Sequence, residues 1–165
     1  MELWHAIVLS IIEGITEFLP ISSTGHMIIG SSLMGIQDDA FVKNFTVIVQ
    51  FGAILSVLVL YYKKFFLSWN KEKIQFYLKL FIAFLPAAII GLASIHIVDR
   101  LLGSAMTVAI SFIVGGIVLI FADKWFERTQ NSSITIDTIT YKNVLLIGFF
   151  QCLALCPGVS RSGAT

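Results

Sequence analysis

The stretch EGITEFLPISSTGH, residues 13–26, places two glutamates, a proline, a run of hydroxyl side chains and a histidine inside an otherwise apolar segment. A helix that crosses a bilayer needs about 20 apolar residues, and neither 3–19 nor 24–36 is a comfortable span. Non-helical backbone at membrane depth is tolerated only where protein covers it or where it lines a water-filled cavity. We therefore expect residues 1–36 to form a re-entrant helix hairpin that turns at Pro20 and carries a functional site.

The composition is that of a membrane protein rather than a soluble domain. Of the 165 residues, 57% are hydrophobic and 13% are charged, and the mean hydropathy is +0.90. A typical soluble domain is roughly 25% charged. We therefore predict an integral, polytopic membrane protein. The formal net charge of +1 argues against a nucleic-acid partner.

The apolar segments predict an all-α fold class, namely a polytopic helical bundle with re-entrant helix hairpins and an incomplete inverted-repeat architecture. We expect the whole chain, 1–165, to form a single membrane domain. The predicted elements after the first hairpin are transmembrane helices at 45–62, 77–98 and 101–122, a cytoplasmic loop at 123–143, and the start of a second re-entrant hairpin at 144–165.

The lysines and arginines of the loops set the predicted orientation, because cytoplasmic loops carry an excess of them. Five lysines lie in 63–79 and three basic residues lie in 123–142, whereas the intervening turns offer only Lys43 and Arg100. We therefore expect the two basic loops in the cytoplasm. Residues 36–44, together with the mouth of the hairpin, should then lie on the outer side.

Glu13 and Glu17 are four residues apart and therefore share one face of a helix. A charged group at the centre of a bilayer costs about 2.5–3.5 kcal/mol on insertion scales. Two like charges also repel each other unless a cation or a shared proton joins them. Because ionisable groups inside a membrane are functional by default, we predict that this acidic pair belongs to the site. The alternative is a segment shallow enough for water to reach both carboxylates.

Three hydroxyl residues, Ser22, Ser23 and Thr24, follow the proline and could cap the second half-helix. Capping accounts for any one of them, but a helix N-terminus with free amides also binds anions such as phosphate. His26 falls in the same first turn. A hydroxyl beside a histidine and carboxylates is the arrangement of an activated nucleophile with an acid/base partner.

The last residues, QCLALCPGVSRSGAT at 151–165, loosely repeat the layout of the first motif. Paired broken apolar segments at corresponding positions are typical of inverted-repeat membrane proteins with a site at the midplane. Arg161 is the most informative residue here, because a buried guanidinium needs an anion and its fork matches phosphate oxygens. A glutamate partner is the alternative. Gln50, in the middle of an apolar span, either lines the site or bridges two helices.

Both motifs closely resemble the two signature sequences of the undecaprenyl-diphosphate phosphatase family, also called the bacitracin-resistance BacA/UppP family. The resemblance extends along the chain and includes VIVQFGAI and FQCLALCPG. It implies a multi-pass enzyme of the bacterial inner membrane whose active site faces the extracytoplasmic side. The implied reaction is hydrolysis of undecaprenyl diphosphate to undecaprenyl phosphate and phosphate, which recycles the lipid carrier for peptidoglycan synthesis and confers bacitracin resistance.

The resemblance also implies the catalytic residues. By position, Glu13 and Glu17 match the family's acidic pair, which is associated with a divalent cation, Mg²⁺ or Ca²⁺, and with orienting the nucleophile. Ser23 and His26 match the nucleophile and the acid/base candidate. Whether Ser23 becomes phosphorylated or a water attacks directly stays open.

The implied phosphate-binding residues come mainly from the second motif. Ser160, Arg161 and Thr165 match the family's phosphate-binding sequence, and the helix N-terminus predicted after the first motif adds Thr24. The implied partner is the lipid substrate, and a homodimer is an assembly state that the resemblance allows.

Family members continue well past the second motif. We therefore expect this chain to be a fragment of a longer product or the product of an incomplete gene, which leaves its activity in isolation open. Two other functions fit the same residues: a lipid-phosphate transporter or flippase, because carriers share inverted repeats with broken helices, and a phosphatase for other lipid phosphates. A carrier needs Arg161 but has no use for a nucleophile such as Ser23.

Overall fold

The computed structural model describes residues 1–66, 71–102, 104–126 and 139–165, and these ranges contain helices and no β-strand. The predicted all-α class is confirmed. In chain order the elements are α1 (Leu3–Thr16), α2 (Ser23–Leu33), α3 (Ala40–Leu60), α4 (Tyr62–Phe66), α5 (Lys71–Ala93), α6 (Ile95–Leu102), α7 (Ala105–Phe126), α8 (Tyr141–Gln151), a 3₁₀ turn (Cys152–Leu155) and α9 (Arg161–Ala164).

Helices α1 and α2 pack against each other as a hairpin, as the sequence predicts. Helix α1 ends at Thr16, and the turn that follows contains Pro20, which has no N–H to donate to a continuing helix. Ser22, with a φ of 61°, completes the reversal of the chain. Its hydroxyl accepts a hydrogen bond from the amide of Gly25 at 3.4 Å, so one of the predicted caps is confirmed. The re-entrant placement of this hairpin in a bilayer stays a prediction.

A small buried cluster joins the hairpin to the first long helix. It consists of Leu9 from α1, Met27 from α2 and Val42 from α3, each at most 2% exposed. Helices in lipid associate through such close packing, because lipid tails are as apolar as the side chains themselves. The cluster therefore fixes the first motif against α3, which contributes a polar side chain to the site described below.

Three helices are long and apolar enough to cross a membrane: Ala40–Leu60, Lys71–Ala93 and the stretch Ala105–Ala122 of α7. They correspond to the three spans predicted from the sequence. Most of their large apolar side chains are exposed on the surface of the chain, where lipid or further protein would cover them. The chain is thus an integral, polytopic helical bundle.

The second span ends earlier than predicted. The sequence predicts a helix over 77–98, but α5 ends at Ala93 and a separate short helix, α6, follows. The amide of Ser94 still bonds to the carbonyl of Ile90 at 2.9 Å, while the carbonyl of Ser94 accepts from the amide of Ile97 at 2.9 Å and opens a new helix. A break here keeps the charged residues that follow out of the apolar span.

Helices α5 and α8 make the most extensive contact in the described part of the chain, and its closest point is a glycine. A Cβ at Gly148 would lie 2.6 Å from the carbonyl oxygen of Ala83 and about 3.0 Å from the ring of Pro86. Helix α5 continues through Pro86, and the glycine lets α8 approach its backbone. The predicted loop at 123–143 falls mostly outside the described residues, apart from the ends of α7 and α8.

Candidate active site

The two motifs line one cavity of about 510 Å³. Its polar lining comes from the turn after α1, the start of α2, the middle of α3 and the second motif: Glu17, Ser22, Ser23, Thr24, Gln50, Gln151, Ser160, Arg161, Ser162 and Thr165. Its apolar lining includes Leu19, Ile54, Val98, Leu102 and Leu155. A pocket that combines an apolar lining with a few converging polar groups is typical of a ligand site.

Ser23 and Glu17 are directly bonded in this cavity. The Ser23 hydroxyl donates a hydrogen bond to the Glu17 carboxylate, and the Ser23 side chain is only 7% exposed. Glu17 caps the C-terminus of α1, where its amide bonds to the carbonyl of Glu13 at 2.9 Å. The turn therefore brings a carboxylate from the end of one half-helix onto the first hydroxyl of the next.

Glu13 is completely buried one turn before Glu17. Neither of its carboxyl oxygens has a hydrogen-bond partner among the described residues, and its electrostatic neighbours are Glu17 and Ser23. Buried polar atoms are almost always hydrogen-bonded, and a buried carboxylate without a partner is costly. A cation, or a proton shared with Glu17, would satisfy the carboxyl of Glu13.

The two glutamates fit the divalent cation that the sequence resemblance implies. Mg²⁺ and Ca²⁺ bind oxygen ligands, and Mg²⁺ is commonly held by one or two carboxylates plus substrate phosphates and water. Glu13 and Glu17 supply two adjacent carboxylates, one of which has unsatisfied oxygens. Among the described residues there is no group of three or more His, Cys, Asp or Glu side chains that could hold a metal, so water and phosphate would complete the coordination.

His26 lies beside the site but faces another cavity. Its Nδ1 lies 2.9 Å from the carbonyl oxygen of Ser22, so Nδ1–H donates this bond and Nε2 is left as the basic nitrogen. The imidazole stacks at a tilt on Phe112 of α7, with ring centroids 4.8 Å apart. It lines a second cavity of about 260 Å³, which shares Gly158 and Ser160 with the first. The structure thus brings Ser23 together with Glu17 rather than with His26.

The second motif reaches the first cavity through a tight turn on α7. Gly158 has a φ of +93°, and a Cβ there would lie 2.8 Å from the Cβ of Ser111 and 2.9 Å from the carbonyl oxygen of Val108. Only glycine suits both the backbone conformation and the close approach. Ser160 then caps α9 by accepting from the amide of Gly163 at 3.3 Å.

Arg161 and Thr165 follow that cap and are exposed to the cavity. The Thr165 hydroxyl donates to the carbonyl of Arg161 at 3.2 Å. Within the ranges that the structure describes, no carboxylate forms an ion pair with Arg161, so the alternative of a glutamate partner is not seen. The guanidinium is therefore available to an anion in the cavity.

Gln50 does both of the things that its sequence position allows. It lines the cavity, and its Nε2 donates to the Thr24 hydroxyl oxygen at 2.7 Å, joining α3 to α2. Val98 and Leu102 enter the cavity from α6 and were not predicted from the sequence as lining residues. Their spacing of four residues, beside Asp99 and Arg100, is the signal of a short amphipathic helix and could have separated α6 from the preceding span.

Comparisons with known proteins agree with these motifs. The model of the family "Bacitracin resistance protein BacA" matches residues 6–165. A protein of Bdellovibrio bacteriovorus named undecaprenyl-diphosphatase is 57% identical over the whole of this chain, which covers 61% of that protein. Proteins of the same name from Flavobacterium johnsoniae and Flavobacterium psychrophilum are 52% and 54% identical, again over the whole chain, which covers 60% and 59% of them. The chain spans about 60% of the length of these curated relatives. It belongs to the bacitracin resistance protein BacA family.

Proposed function

We propose that the protein containing this chain hydrolyses undecaprenyl diphosphate to undecaprenyl phosphate and inorganic phosphate. The observation that carries the proposal is one cavity in which a hydroxyl–carboxylate pair, apolar side chains and Arg161 meet, the arginine having no ion-pair partner among the described residues. A lipid diphosphate has the matching parts, namely an anionic head and an apolar chain. The name undecaprenyl-diphosphatase of the similar proteins supports this choice of lipid.

Ser23 is the proposed nucleophile and Glu17 its base. The hydroxyl oxygen attacks the terminal phosphorus while its proton passes to the Glu17 carboxylate to which it is already bonded. The bond from that phosphorus to the bridging oxygen breaks, and undecaprenyl phosphate leaves. A water then attacks the phosphorus of the phosphoserine, the bond from that phosphorus to the serine oxygen breaks, and phosphate leaves with both protons of the water. Glu17 returns its proton to the serine oxygen, which restores both residues. A hydroxyl held by a carboxylate in this way is the usual arrangement of an activated nucleophile.

The phosphate oxygens are bound by the second motif and by Thr24. Phosphoryl transfer depends almost entirely on positioning and on neutralising charge, and the fork of Arg161 suits both tasks. Ser160 and Thr165 supply hydroxyls in the same cavity. His26, with Nε2 as its basic nitrogen, is the proposed further proton carrier.

Glu13 and Glu17 are the residues that would hold a divalent cation, Mg²⁺ or Ca²⁺, and a bound cation would neutralise charge on the diphosphate. Glutamine at either position should weaken binding of the cation. Because Glu17 remains in the Glu13→Gln variant, raising the concentration of Mg²⁺ or Ca²⁺ should partly restore its turnover, whereas Glu17→Gln also loses the base and should not recover. Glu13→Gln activity that does not depend on the cation concentration would contradict this role.

We infer further that the cavity opens on the outer side of the bacterial inner membrane. The basic residues of the sequence cluster in 63–79 and 123–142, which the positive-inside rule places in the cytoplasm. The first motif then opens toward the opposite side.

The test uses a full-length protein in which this chain replaces the matching segment of the Bdellovibrio relative, since the chain covers 61% of it. The purified protein should release phosphate from undecaprenyl diphosphate in detergent, and Ser23→Ala should abolish the release. A lipid-phosphate flippase would instead move a labelled lipid across vesicles without releasing phosphate, and would do so equally well with Ser23→Ala. That result would overturn the phosphatase and favour the transporter.

A further inference from the structure

The amide of Gln50 is a polar group in the middle of a span. It lies near the centre of α3, which is long and apolar enough to cross a membrane, and its large neighbours Ile48, Phe51 and Ile54 are exposed apolar side chains. Polar side chains inside a membrane are uncommon and mark functional positions. The hydrogen bond from its Nε2 to Thr24 offsets part of the free-energy cost of placing this amide in a membrane.

The direction of that bond decides what Thr24 can do. A threonine hydroxyl has one proton to donate and lone pairs to accept with. Gln50 Nε2 donates to Thr24 Oγ1 at 2.7 Å. This contact uses a lone pair of the hydroxyl oxygen, so the hydroxyl proton of Thr24 can still be donated to another acceptor. Among the described residues no acceptor takes that proton, whereas the neighbouring Ser23 hydroxyl is committed to Glu17.

The free proton faces an anion site. Thr24 and Gln50 both line the cavity that contains Arg161, and Thr24 lies in the first turn of the 11-residue helix α2, where free amides favour a negative charge. A hydroxyl that accepts from an amide is also polarised toward donating, because hydrogen bonds in a chain strengthen one another.

We propose that Gln50 is a positioning residue for phosphate: it holds the Thr24 hydroxyl so that its proton points into the cavity and donates to an oxygen of the bound phosphoryl group. Gln50 acts through Thr24 and takes no part in bond breaking. The proposal rests on the proposed function, because it assigns the anion in this cavity to a phosphate. Its test measures the binding of phosphate and does not depend on turnover.

The experiment measures the dissociation constant of radiolabelled inorganic phosphate in the full-length protein described above. Gln50→Met, which keeps the length of the side chain and removes its donor, should weaken phosphate binding roughly tenfold, the effect of one hydrogen bond to a charged acceptor. Thr24→Val should weaken it by a similar factor, and the double variant by little more than either single one, because the two residues form one unit. Thr24→Ser, which keeps the hydroxyl, should retain most of the affinity.

Thr46→Val is the matched control. The Thr46 hydroxyl lies one turn earlier on α3, and within the described ranges its one bond goes to the carbonyl of Val42 at 2.9 Å, so its loss should leave phosphate binding unchanged. Unchanged binding in Gln50→Met, effects of Gln50→Met and Thr24→Val that multiply, or a wild-type protein that binds no phosphate would each overturn the proposal. Normal phosphate binding in a protein that releases no phosphate from the lipid would contradict the proposed function alone.

Discussion

The hydroxyl of Ser23 donates a hydrogen bond to the carboxylate of Glu17 across the turn that follows the first half-helix. The two residues are six apart: Glu17 caps the end of α1 and Ser23 is the first residue of α2. The bond between them depends on the turn at Pro20, which prevents one continuous helix. The same break frees the amides of the first turn of α2. One local feature of the sequence thus creates both the nucleophile pair and the anion site.

The Ser23–Glu17 pair should behave as one unit in kinetics. Ser23→Ala and Glu17→Gln should each lower kcat by a factor on the order of 10³ or more, and the double variant should be little worse than either, because residues that act together are not additive. The measurement is phosphate release from undecaprenyl diphosphate by the full-length protein. If Ser23 served only as a helix residue, turnover would fall only modestly in Ser23→Ala, because Ser22 rather than Ser23 caps α2.

Two substitutions of His26 distinguish a role in acid/base chemistry from a purely structural role in the turn. The bond from Nδ1 to the carbonyl of Ser22 could be reproduced by the side-chain amide of an asparagine, whereas Nε2 has no equivalent there. We expect His26→Asn and His26→Ala to lose the same amount of activity, about 10²–10⁴-fold, as for removal of a general acid or base. An asparagine variant close to wild type would show that the imidazole only braces the turn.

Arg161 should be irreplaceable by another cation. Arg161→Ala should lower kcat/KM for undecaprenyl diphosphate by about 10²–10³-fold, as for loss of a main group that stabilises charge in the transition state. Arg161→Lys should recover little, because a point charge cannot form the bidentate fork. Recovery by lysine to near the wild-type rate would mean that Arg161 acts only as a counter-charge.

The glycine of the α5–α8 contact offers a test of the fold that is independent of catalysis. Gly148→Ala would force a methyl group to within 2.6 Å of the Ala83 carbonyl, and overpacking of this kind costs about 1–3 kcal/mol. Gly116→Ala is the control, because a Cβ there meets nothing within 4 Å. Thermal unfolding in detergent should show a lower Tm for Gly148→Ala alone, and equal Tm values for the two variants would contradict the contact.

The fold could be predicted from the sequence where composition alone decides it. Apolar length identified the three spans, and Pro20 with its hydroxyl neighbours identified the hairpin and its cap. The boundary after Ala93 was not predicted, because apolar residues continue through α6 and the only signal of the change is its amphipathic pattern around Asp99 and Arg100. The bond between Gln50 and Thr24 could not be predicted either, since a contact between residues 26 apart depends on how α2 packs against α3.

The sequence predicted which residues line the cavity better than it predicted how their side chains are arranged. The motifs gave Ser23, Glu17 and Arg161 from residue type and spacing, and all three line one cavity. Spacing also suggested that His26 would accompany Ser23, because both fall in the first turn of one helix. Residues three apart lie on neighbouring positions of a helix face, so spacing could not separate them. The imidazole instead bonds to the Ser22 carbonyl and packs on Phe112, in the neighbouring cavity.

The orientation of the cavity is tested by labelling single cysteines. Asp38→Cys lies in the short turn before α3 and leaves the cap of that helix intact, because Asp39 rather than Asp38 accepts from the amide of Phe41 at 2.8 Å. Lys71→Cys lies at the start of α5, on the opposite side of the span Ala40–Leu60. In intact cells that express a cysteine-free background, an impermeant maleimide should label position 38 directly and position 71 only after permeabilisation. The expectation follows from the five lysines in 63–79, which favour the cytoplasm. Labelling of position 71 but not 38 in intact cells would show the opposite orientation, with the cavity on the cytoplasmic side.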